Sequence, residues 1–329
     1  MPDSDSKSTP SVGSPSPRTI LVLGGAHLDR RGRISGPLAM GASNPGSFFS
    51  EPGGGGFNAA CALRRLGHPV RLVSPRGGDA AGEDVTAAAL RAGIDDRPFV
   101  YLDRATPSYT AILDANGDLV VALADMDLYR LFSPRRLMTL SMREAVSGSD
   151  ALLCDANLPA ETLALIGELA RIRNMPLGAI AISPAKVVRF APSLERLDWL
   201  FMNVAEARAL SGTDVSDPRE WPQVLRRLGL RGGIVTHGAG PLIAFEADSA
   251  VAVVPPTIER IADVTGAGDA TAAAFFSARL AGMPLADACR RAVAAAICTV
   301  TSAEATSGDL SAGRLDAQLS LVPPAEMLF

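Results

Sequence analysis

Short apolar stretches rich in Val, Ile and Leu alternate along the chain with longer stretches in which apolar residues recur with a helical period. The short stretches have the composition of buried strands and lie at 18–29, 68–75, 150–157 and 177–183. The longer ones predict helices at 57–67, 82–93 and 159–174, the first two closed by Gly67 and Gly93. This alternation predicts an α/β fold with a mostly parallel sheet covered by helices on both faces.

Two segments interrupt this alternation. Positions 30–52 are rich in Gly, Ser and Pro and have no helical period. The stretch SYTAILDANGDLVVALAD at 108–125 alternates around Asn116-Gly117, which predicts a β-hairpin with a type I′ turn. We expect the segments at about 30–52 and 98–124 to form a small β-strand lid over the carboxyl ends of the main strands, where open α/β sheets bind ligands.

A run of small residues near the C-terminus also has a helical period. The stretch ADACRRAVAAAICTVTS at 286–302 predicts a helix that packs closely against one beginning near Gly266.

Composition narrows the class of protein. The net charge of −4 and the lack of a basic cluster argue against nucleic acid or an anionic membrane as partner. No apolar run approaches the roughly 18 residues of a membrane span, and the Ser/Pro-rich tail at 1–18 is expected to be disordered, so we expect a cytoplasmic protein. Lysine occurs only at Lys7 and Lys186, which excludes a Walker A loop. The four cysteines have no metal-ligand spacing and are interpreted as reduced core residues.

The stretch IADVTGAGDATAAAFF at 261–276 places two glycines directly before a run of small helix formers. Glycine inside a helix lowers helix stability by about 1 kcal/mol relative to alanine. The glycine pair therefore indicates that the backbone at this position has a specific task that only glycine permits. The amides of Gly266, Ala267 and Gly268 would lie at the positive end of a helix dipole and suit a phosphate. Asp269 is either a capping carboxylate or a general base that takes a proton from an alcohol during phosphoryl transfer.

Three further stretches carry candidate binding residues. Four consecutive glycines at 53–56 precede Asn58 at a helix start, either as a flexible loop with a cap or as a backbone that approaches a ligand closely. Asp29 follows the first strand and is either a turn residue or an acceptor for a pair of hydroxyls. Asn203 and Glu206 form either a helix cap with an acidic first turn or an outer-sphere magnesium site.

Taken in order from about Thr19 to Ser302, these segments resemble the ribokinase-like (PfkB) family of carbohydrate and nucleoside kinases. DVTGAGD at 263–269 looks like the second signature of that family, and GGGGFNAACALRRLG at 53–67 looks like the first. Asn203 and Glu206 look like its NxxE motif. The resemblance implies a three-layer α/β/α sandwich with a small β-strand lid, one kinase domain at 19–320, and the use of ATP and Mg²⁺.

The resemblance also implies a role for each matching residue. Asp269 becomes the catalytic base and the backbone of 266–268 the anion hole. The resemblance implies that Asp29, Gly54, Gly55 and Asn58 bind the acceptor. Asn203 and Glu206 would organise magnesium and the phosphates, and Thr236, Gly238 and Gly240 would bind the nucleotide. Asp263 and Thr265 would bind a monovalent cation such as K⁺.

A narrower resemblance, to the pseudouridine kinase branch, rests on GGAHLDRRGRI at 24–34, SNPG at 43–46, the hairpin stretch and CDANL at 154–158. It implies phosphorylation of the 5′-hydroxyl of a C-linked nucleoside, with Asn157 where ribokinases usually carry glutamate. Discrimination against uridine requires an acceptor for the free ring N–H. The candidates, each also interpretable as a solvated loop residue, are Ser43, Asn44, Asp125 and Asp127.

The chain departs from the family pattern in its ATP loop, where Pro241 ends the motif and the glycine is displaced to Gly240, and at Ser183, where an acidic residue is common.

The sequence leaves other functions open besides a pseudouridine kinase. One alternative is a PfkB kinase for ribose, another nucleoside or a sugar acid. A second is a catalytically silent nucleoside-binding protein. A dinucleotide-dependent oxidoreductase is disfavoured because the glycines do not form GxGxxG. Open strand edges in the lid make a homodimer a reasonable hypothesis.

Overall fold

The computed structural model describes residues 17–302 and 310–329, so most of the predicted N-terminal tail lies outside the described residues. The strands are β1 (Ile20–Leu23), β2 (His27–Ile34), β3 (Gly46–Gly53), β4 (Val70–Val73), β5 (Pro75–Gly77), β6 (Asp95–Asp96), β7 (Phe99–Tyr101), β8 (Ser108–Leu113), β9 (Leu119–Asp125), β10 (Ala151–Asp155), β11 (Leu177–Ile180), β12 (Trp199–Asn203), β13 (Gly233–Thr236), β14 (Leu242–Phe245), β15 (Ala250–Val253) and β16 (Glu326–Met327). The α-helices are α1 (Gly55–Arg65), α2 (Ala80–Arg91), α3 (Pro134–Leu137), α4 (Leu140–Ser147), α5 (Ala160–Arg173), α6 (Pro184–Val187), α7 (Val204–Ser211), α8 (Trp221–Arg227), α9 (Ala267–Leu280), α10 (Leu285–Val300) and α11 (Ala312–Leu319).

The main sheet has the strand order β16-β15-β14-β13-β12-β11-β10-β1-β4-β6 within the described ranges. Its strands run parallel from β13 to β6, whereas β14, β15 and β16 are antiparallel additions at one edge. The prediction of a mostly parallel sheet is therefore confirmed. The central parallel strands β1, β10 and β11 are buried on both faces, which explains their almost continuous apolar composition.

Each face of the sheet has its own hydrophobic core. In β1, Ile20 and Val22 pack with α1, α9 and α10, whereas Leu21 and Leu23 pack with α4, α5 and α8 on the other face. The predicted packing is confirmed, since α10 lies in extensive contact with α9. The Ala-rich surfaces of the two helices allow this close approach. All four cysteines are buried, and none of them forms a disulfide within the described chain.

A second sheet, with the order β3-β2-β8-β9, is built from the two segments that interrupt the α/β alternation. β2 pairs antiparallel with β3 and parallel with β8, and β8 and β9 form the predicted hairpin. We call this four-stranded sheet the lid. No helix within the described ranges combines the length and the apolar character that crossing a membrane requires.

The prediction of a type I′ turn in the hairpin is wrong. That turn needs positive φ at both central residues, but among the non-glycine residues described only Asn174 and Ile182 have positive φ. The Gly117 amide instead donates to the Asp114 carbonyl at 3.1 Å, and Gly117 has φ +96°. A longer loop between β8 and β9 thus uses one left-handed glycine after a turn, which leaves Asn116 in an ordinary conformation.

Candidate active site

A cavity of about 560 Å³ opens at the carboxyl ends of β11, β12 and β13. The N-termini of α1 and α9 form one wall and the lid strands β2, β8 and β9 form another. This volume is in the range of small-molecule sites. The lining residues are His27, Asp29, Gly54, Gly55, Asn58, Tyr109, Ala124, Met126, Asn157, Ile180, Ile182, Ser183, Lys186, Phe201, Met202, Asn203, Glu206, Ile234, Thr236, Thr265, Gly266, Gly268, Asp269 and Thr271.

The N-terminus of α9 points into this cavity. Gly266 caps the helix with φ +76°, and the first helical hydrogen bond runs from the Ala270 amide to the Gly266 carbonyl at 2.9 Å. The amides of Gly268 and Asp269 precede that bond and lie at the positive end of the helix, as in an anion site. The Ala267 amide is instead used in a turn, where it donates to Val264 O at 3.3 Å.

Asp269 lies on the first turn of α9 and is paired with α1. The Asn58 Nδ2 donates to Asp269 Oδ2 at 2.9 Å. Burial raises the pKa of Asp269 to about 7; the Asn58 hydrogen bond opposes this, and the negative charges of Asp155, Glu206 and Asp29 add to it. A carboxyl group with this pKa is suited to act as a general base near neutral pH.

Asp155, which the sequence interpretation used only as part of a motif, organises the cavity floor. Its buried carboxylate accepts hydrogen bonds from the amides of Gly25 and Gly56, at 2.7 and 2.8 Å, and from the amide of Asn157 at 2.8 Å. A Cβ on Gly24 would lie 2.5 Å from this carboxylate, so the chain needs glycine there. Asp155 therefore joins the end of β1 to the glycine-rich start of α1.

Asp29 lies at the lid side of the cavity and is held by a histidine. His27 Nε2 is 3.2 Å from Asp29 Oδ1, and His27 Nδ1 is 2.9 Å from the hydroxyl of Tyr129. In the tautomer in which Nε2 donates to Asp29, Nδ1 accepts the Tyr129 hydroxyl hydrogen. Burial raises the pKa of Tyr129 well above its ordinary value, which keeps this donor protonated.

Asn157 and Lys186 form a polar end of the cavity. Lys186 Nζ donates to Asn157 Oδ1 at 2.6 Å, and burial lowers the pKa of Lys186. Asn157 is only 3% exposed, and its Nδ2 makes no hydrogen bond to any described residue. A buried amide donor without a partner carries a desolvation cost that a ligand acceptor would remove.

Asn203 and Glu206 form a capping box at the start of α7. The Glu206 amide donates to Asn203 Oδ1 at 2.9 Å, and the Asn203 amide donates to Glu206 Oε2 at 2.7 Å. The helix-cap interpretation thus holds, and both residues also line the cavity. Burial raises the pKa of Glu206, although the Asn203 amide opposes this.

The donor set of the cavity fits magnesium held through phosphates. Among the described residues, no group of three or more His, Cys, Asp or Glu side chains could hold a metal ion. Mg²⁺ commonly binds through one or two carboxylates together with water and substrate phosphates, so one carboxylate such as Glu206 is sufficient.

Several predicted site residues lie away from the cavity lining. Ser43 and Asp125 are exposed, and the half-buried Asn44 has its side chain bonded to the backbone of Ala39 within its own loop. Gly238 and Gly240 are also absent from the lining, whereas Thr236 of the same segment belongs to it.

Asp263 and Thr265, predicted to bind a monovalent cation, contact a lid arginine. Arg31 Nη1 donates to Asp263 Oδ2 at 2.8 Å, and Arg31 Nη2 donates to Thr265 Oγ1 at 3.3 Å. Asp263 Oδ1 accepts from the amide and the hydroxyl of Thr265, at 2.8 and 2.7 Å. The hydrogen bonds of Thr265 and Arg31 outweigh the effect of burial and lower the pKa of Asp263.

Sequence reasoning missed Lys186, Tyr129, Ile182 and Arg31 as site residues. Lys186 had a usable signal, because it is the single lysine beyond the N-terminal tail. Ile182 has φ +69° and its side chain reaches toward Gly55, where an added Cβ would lie 2.2 Å away. Positive φ in a β-branched residue is rare and has no signature in the sequence.

A buried carboxylate beside amides at a helix N-terminus, under a lid at the strand ends, is the arrangement that phosphoryl transfer to an alcohol group requires. The chain matches the pfkB family carbohydrate kinase domain over residues 19–312 and belongs to that family.

Individual relatives agree with this membership. The chain is 28% identical over 313 residues to a pseudouridine kinase of Escherichia coli strain K12, covering 94% of this chain and 98% of the relative. A solved carbohydrate kinase from Agrobacterium tumefaciens is 56% identical with a TM-score of 0.87, covering 94% of this chain and 100% of the other. A ribokinase from Arabidopsis thaliana, solved with ribose and ATP, shares the fold with a TM-score of 0.80 at 21% identity, covering 92% and 99%.

Proposed function

We propose that this kinase transfers the γ-phosphoryl group of ATP to the 5′-hydroxyl of pseudouridine and gives pseudouridine 5′-phosphate and ADP. The observation that carries the chemistry is the pairing of Asp269 with Asn58 beside the amides at the start of α9. Asp269 accepts the hydroxyl proton, the 5′-oxygen forms a bond to the γ-phosphorus, and the bond from that phosphorus to the β,γ-bridging oxygen breaks.

The anion site and the lid have separate tasks in this reaction. The amides of Gly268 and Asp269, with Gly266 as the turn that frees them, hold the equatorial oxygens of the transferring group. Mg²⁺ would be held through Glu206 and would neutralise charge on the phosphates. The lid strands exclude water that would otherwise hydrolyse ATP.

The cavity supports a nucleoside better than a bare sugar as acceptor. Asp29, fixed by His27, lines the cavity and offers a carboxylate that can accept from a pair of ribose hydroxyls. The lining also includes the apolar side chains of Met126, Ile180 and Phe201 and the amide of Asn157. A uracil ring offers flat faces for the apolar side chains and carbonyl oxygens that can accept from Asn157 Nδ2, whereas ribose alone has no flat apolar face.

The assignment to pseudouridine rather than uridine rests on the narrower sequence resemblance and on the similarity to the Escherichia coli pseudouridine kinase. The acceptor for the ring N–H is proposed to come from the lid. None of the four candidates lines the cavity. Asp125 lies between Ala124 and Met126, which do line it, and Asp127 follows Met126, so either side chain would have to turn toward the cavity, as would Ser43 and Asn44.

The test is ATP consumption and product mass with pseudouridine, uridine, adenosine and ribose at saturating Mg²⁺. Turnover confined to pseudouridine, with kcat lowered about 10²- to 10⁴-fold in Asp269→Asn, supports the proposal. Turnover of ribose or adenosine would support the assignment as a kinase but would contradict pseudouridine as its acceptor. Nucleoside binding without any turnover would favour a silent binding protein.

A further inference from the structure

The loop that leads to Asp269 contains a carboxylate whose partners come from the protein itself. Asp263 accepts two hydrogen bonds from Thr265 through Oδ1 and one from Arg31 through Oδ2. Arg31 also donates to the Thr265 hydroxyl, so its guanidinium bridges both side chains that the family resemblance assigns to a monovalent cation. These two residues therefore do not offer a vacant cation site.

Arg31 is directed to this loop by the geometry of the lid. It lies in the middle of β2, where it is opposite Phe49 of β3 and Ala111 of β8. Side chains two positions apart on a strand share a face, so Arg31 lies on the same face as Asp29, which lines the cavity. Glu51, 3.6 Å away, further restrains the guanidinium.

We infer that the Arg31 guanidinium takes the place of a monovalent cation in this kinase and holds the 263–269 loop in position when the lid is closed. Arg31 is a positioning residue that acts on Asp269 through Asp263. The guanidinium carries a permanent positive charge and presents two parallel donors, which suits a carboxylate and a neighbouring hydroxyl. The inference rests on the proposed chemistry of Asp269, but its binding test does not require turnover.

The first arm of the test measures acceptor kcat/KM in KCl and in tetramethylammonium chloride at equal ionic strength. We expect the wild type to differ by less than about twofold between the salts. Arg31→Ala should lose about ten- to a hundredfold in tetramethylammonium, because a misplaced loop weakens the transition-state contacts, and should regain at least about fivefold in KCl. The kcat/KM of Arg31→Lys in tetramethylammonium should lie between those of the wild type and Arg31→Ala, since lysine restores the positive charge but not the pair of parallel donors.

Arg33→Ala is the matched control on the same strand. Arg33 donates to the Ala115 carbonyl in the loop between β8 and β9, a hydrogen bond that does not involve the 263–269 loop. It should therefore perturb the lid without creating a potassium response. A potassium response in Arg33→Ala equal to that of Arg31→Ala would overturn the inference, because lid damage alone would then be sufficient.

The second arm measures Tm in the two salts without substrates. KCl should raise the Tm of Arg31→Ala but not of the wild type, since only the variant has a released carboxylate. A wild type that is stabilised or activated by K⁺ as strongly as the variant would overturn the inference. So would an Arg31→Ala variant that keeps full activity in both salts. Failure of all acceptors would count against the proposed function alone, because the Tm comparison would still decide the role of Arg31.

Discussion

Asn58→Leu is the substitution that most directly tests how the base is tuned. The Asn58 Nδ2 hydrogen bond to Asp269 Oδ2 favours the ionised carboxylate, whereas burial disfavours it and brings the pKa to about 7. Leucine has nearly the same shape but cannot donate. Because Asn58 Oδ1 has no hydrogen-bond partner among the described residues, the substitution removes only the hydrogen bond to Asp269 Oδ2.

The magnitude follows from the strength of that bond. A hydrogen bond to a charged group contributes about 1.5–3 kcal/mol, and 1.36 kcal/mol corresponds to one pH unit in the midpoint. The midpoint of kcat/KM against pH should therefore rise by about one to two pH units above the wild-type value near 7. The base must be ionised, so activity is lost as pH falls through the midpoint, about tenfold per pH unit well below it.

The assay is the pH profile of kcat/KM for the acceptor at saturating ATP and excess Mg²⁺. Loss of a substrate contact by Asn58 would lower the plateau without moving the midpoint, so the two roles are separable. Asp269→Asn serves as the control that should have no such profile. A variant midpoint equal to that of the wild type would refute the tuning by Asn58, and a wild-type midpoint near 4 would refute a base raised by burial.

Three further predictions concern the acceptor pocket, its floor and the lid. Lys186→Met should raise the nucleoside KM about tenfold or more with little change in kcat, measured by initial rates. Lys186 donates to Asn157 of the acceptor pocket and not to the general base Asp269. Asp155→Asn should lower the free energy of unfolding by about 3 kcal/mol or more in denaturant titrations. Both carboxylate oxygens accept backbone amides, Oδ2 from Gly25 and Gly56 and Oδ1 from Asn157, so the NH₂ group of asparagine would face a donor in either orientation. The open edges of β3 and β9 should pair two copies, which sedimentation would show as a concentration-dependent mass; a constant monomer mass would contradict this.

The fold follows from the sequence where local pattern and burial agree. The alternation of apolar strands and periodic helices predicts the parallel sheet because its central strands, such as β1 and β10, are covered on both faces. Glycines at 67 and 93 do close their helices in positive φ. The hairpin shows the limit, because Asn116-Gly117 specifies a turn but the length of the loop between β8 and β9 decides its type.

The candidate site was predictable as a set of motifs and not as a set of contacts. Asp269 and Asn58 were each singled out, but their pairing joins positions separated by 211 residues. The role of Asp155 depends on amides from the loop after β1, from the first turn of α1 and from Asn157, and amides carry no side-chain signal. Lys186 reaches the cavity only because α6 follows β11 at its carboxyl end.

The 263–269 loop is held from both sides of the cavity by polar pairs. Asp269 is bound by Asn58 of α1, which belongs to the main layer, and Asp263 by Arg31 of the lid, 232 residues away. Arg31 and Asp263 keep 32% and 20% of their side chains exposed, and pairs of that exposure contribute little net stability. Opening the lid would therefore cost little at this contact. A loop whose position depends on a weak, reversible contact can be set when the lid closes and released when product leaves, which a deeply buried pair would hinder.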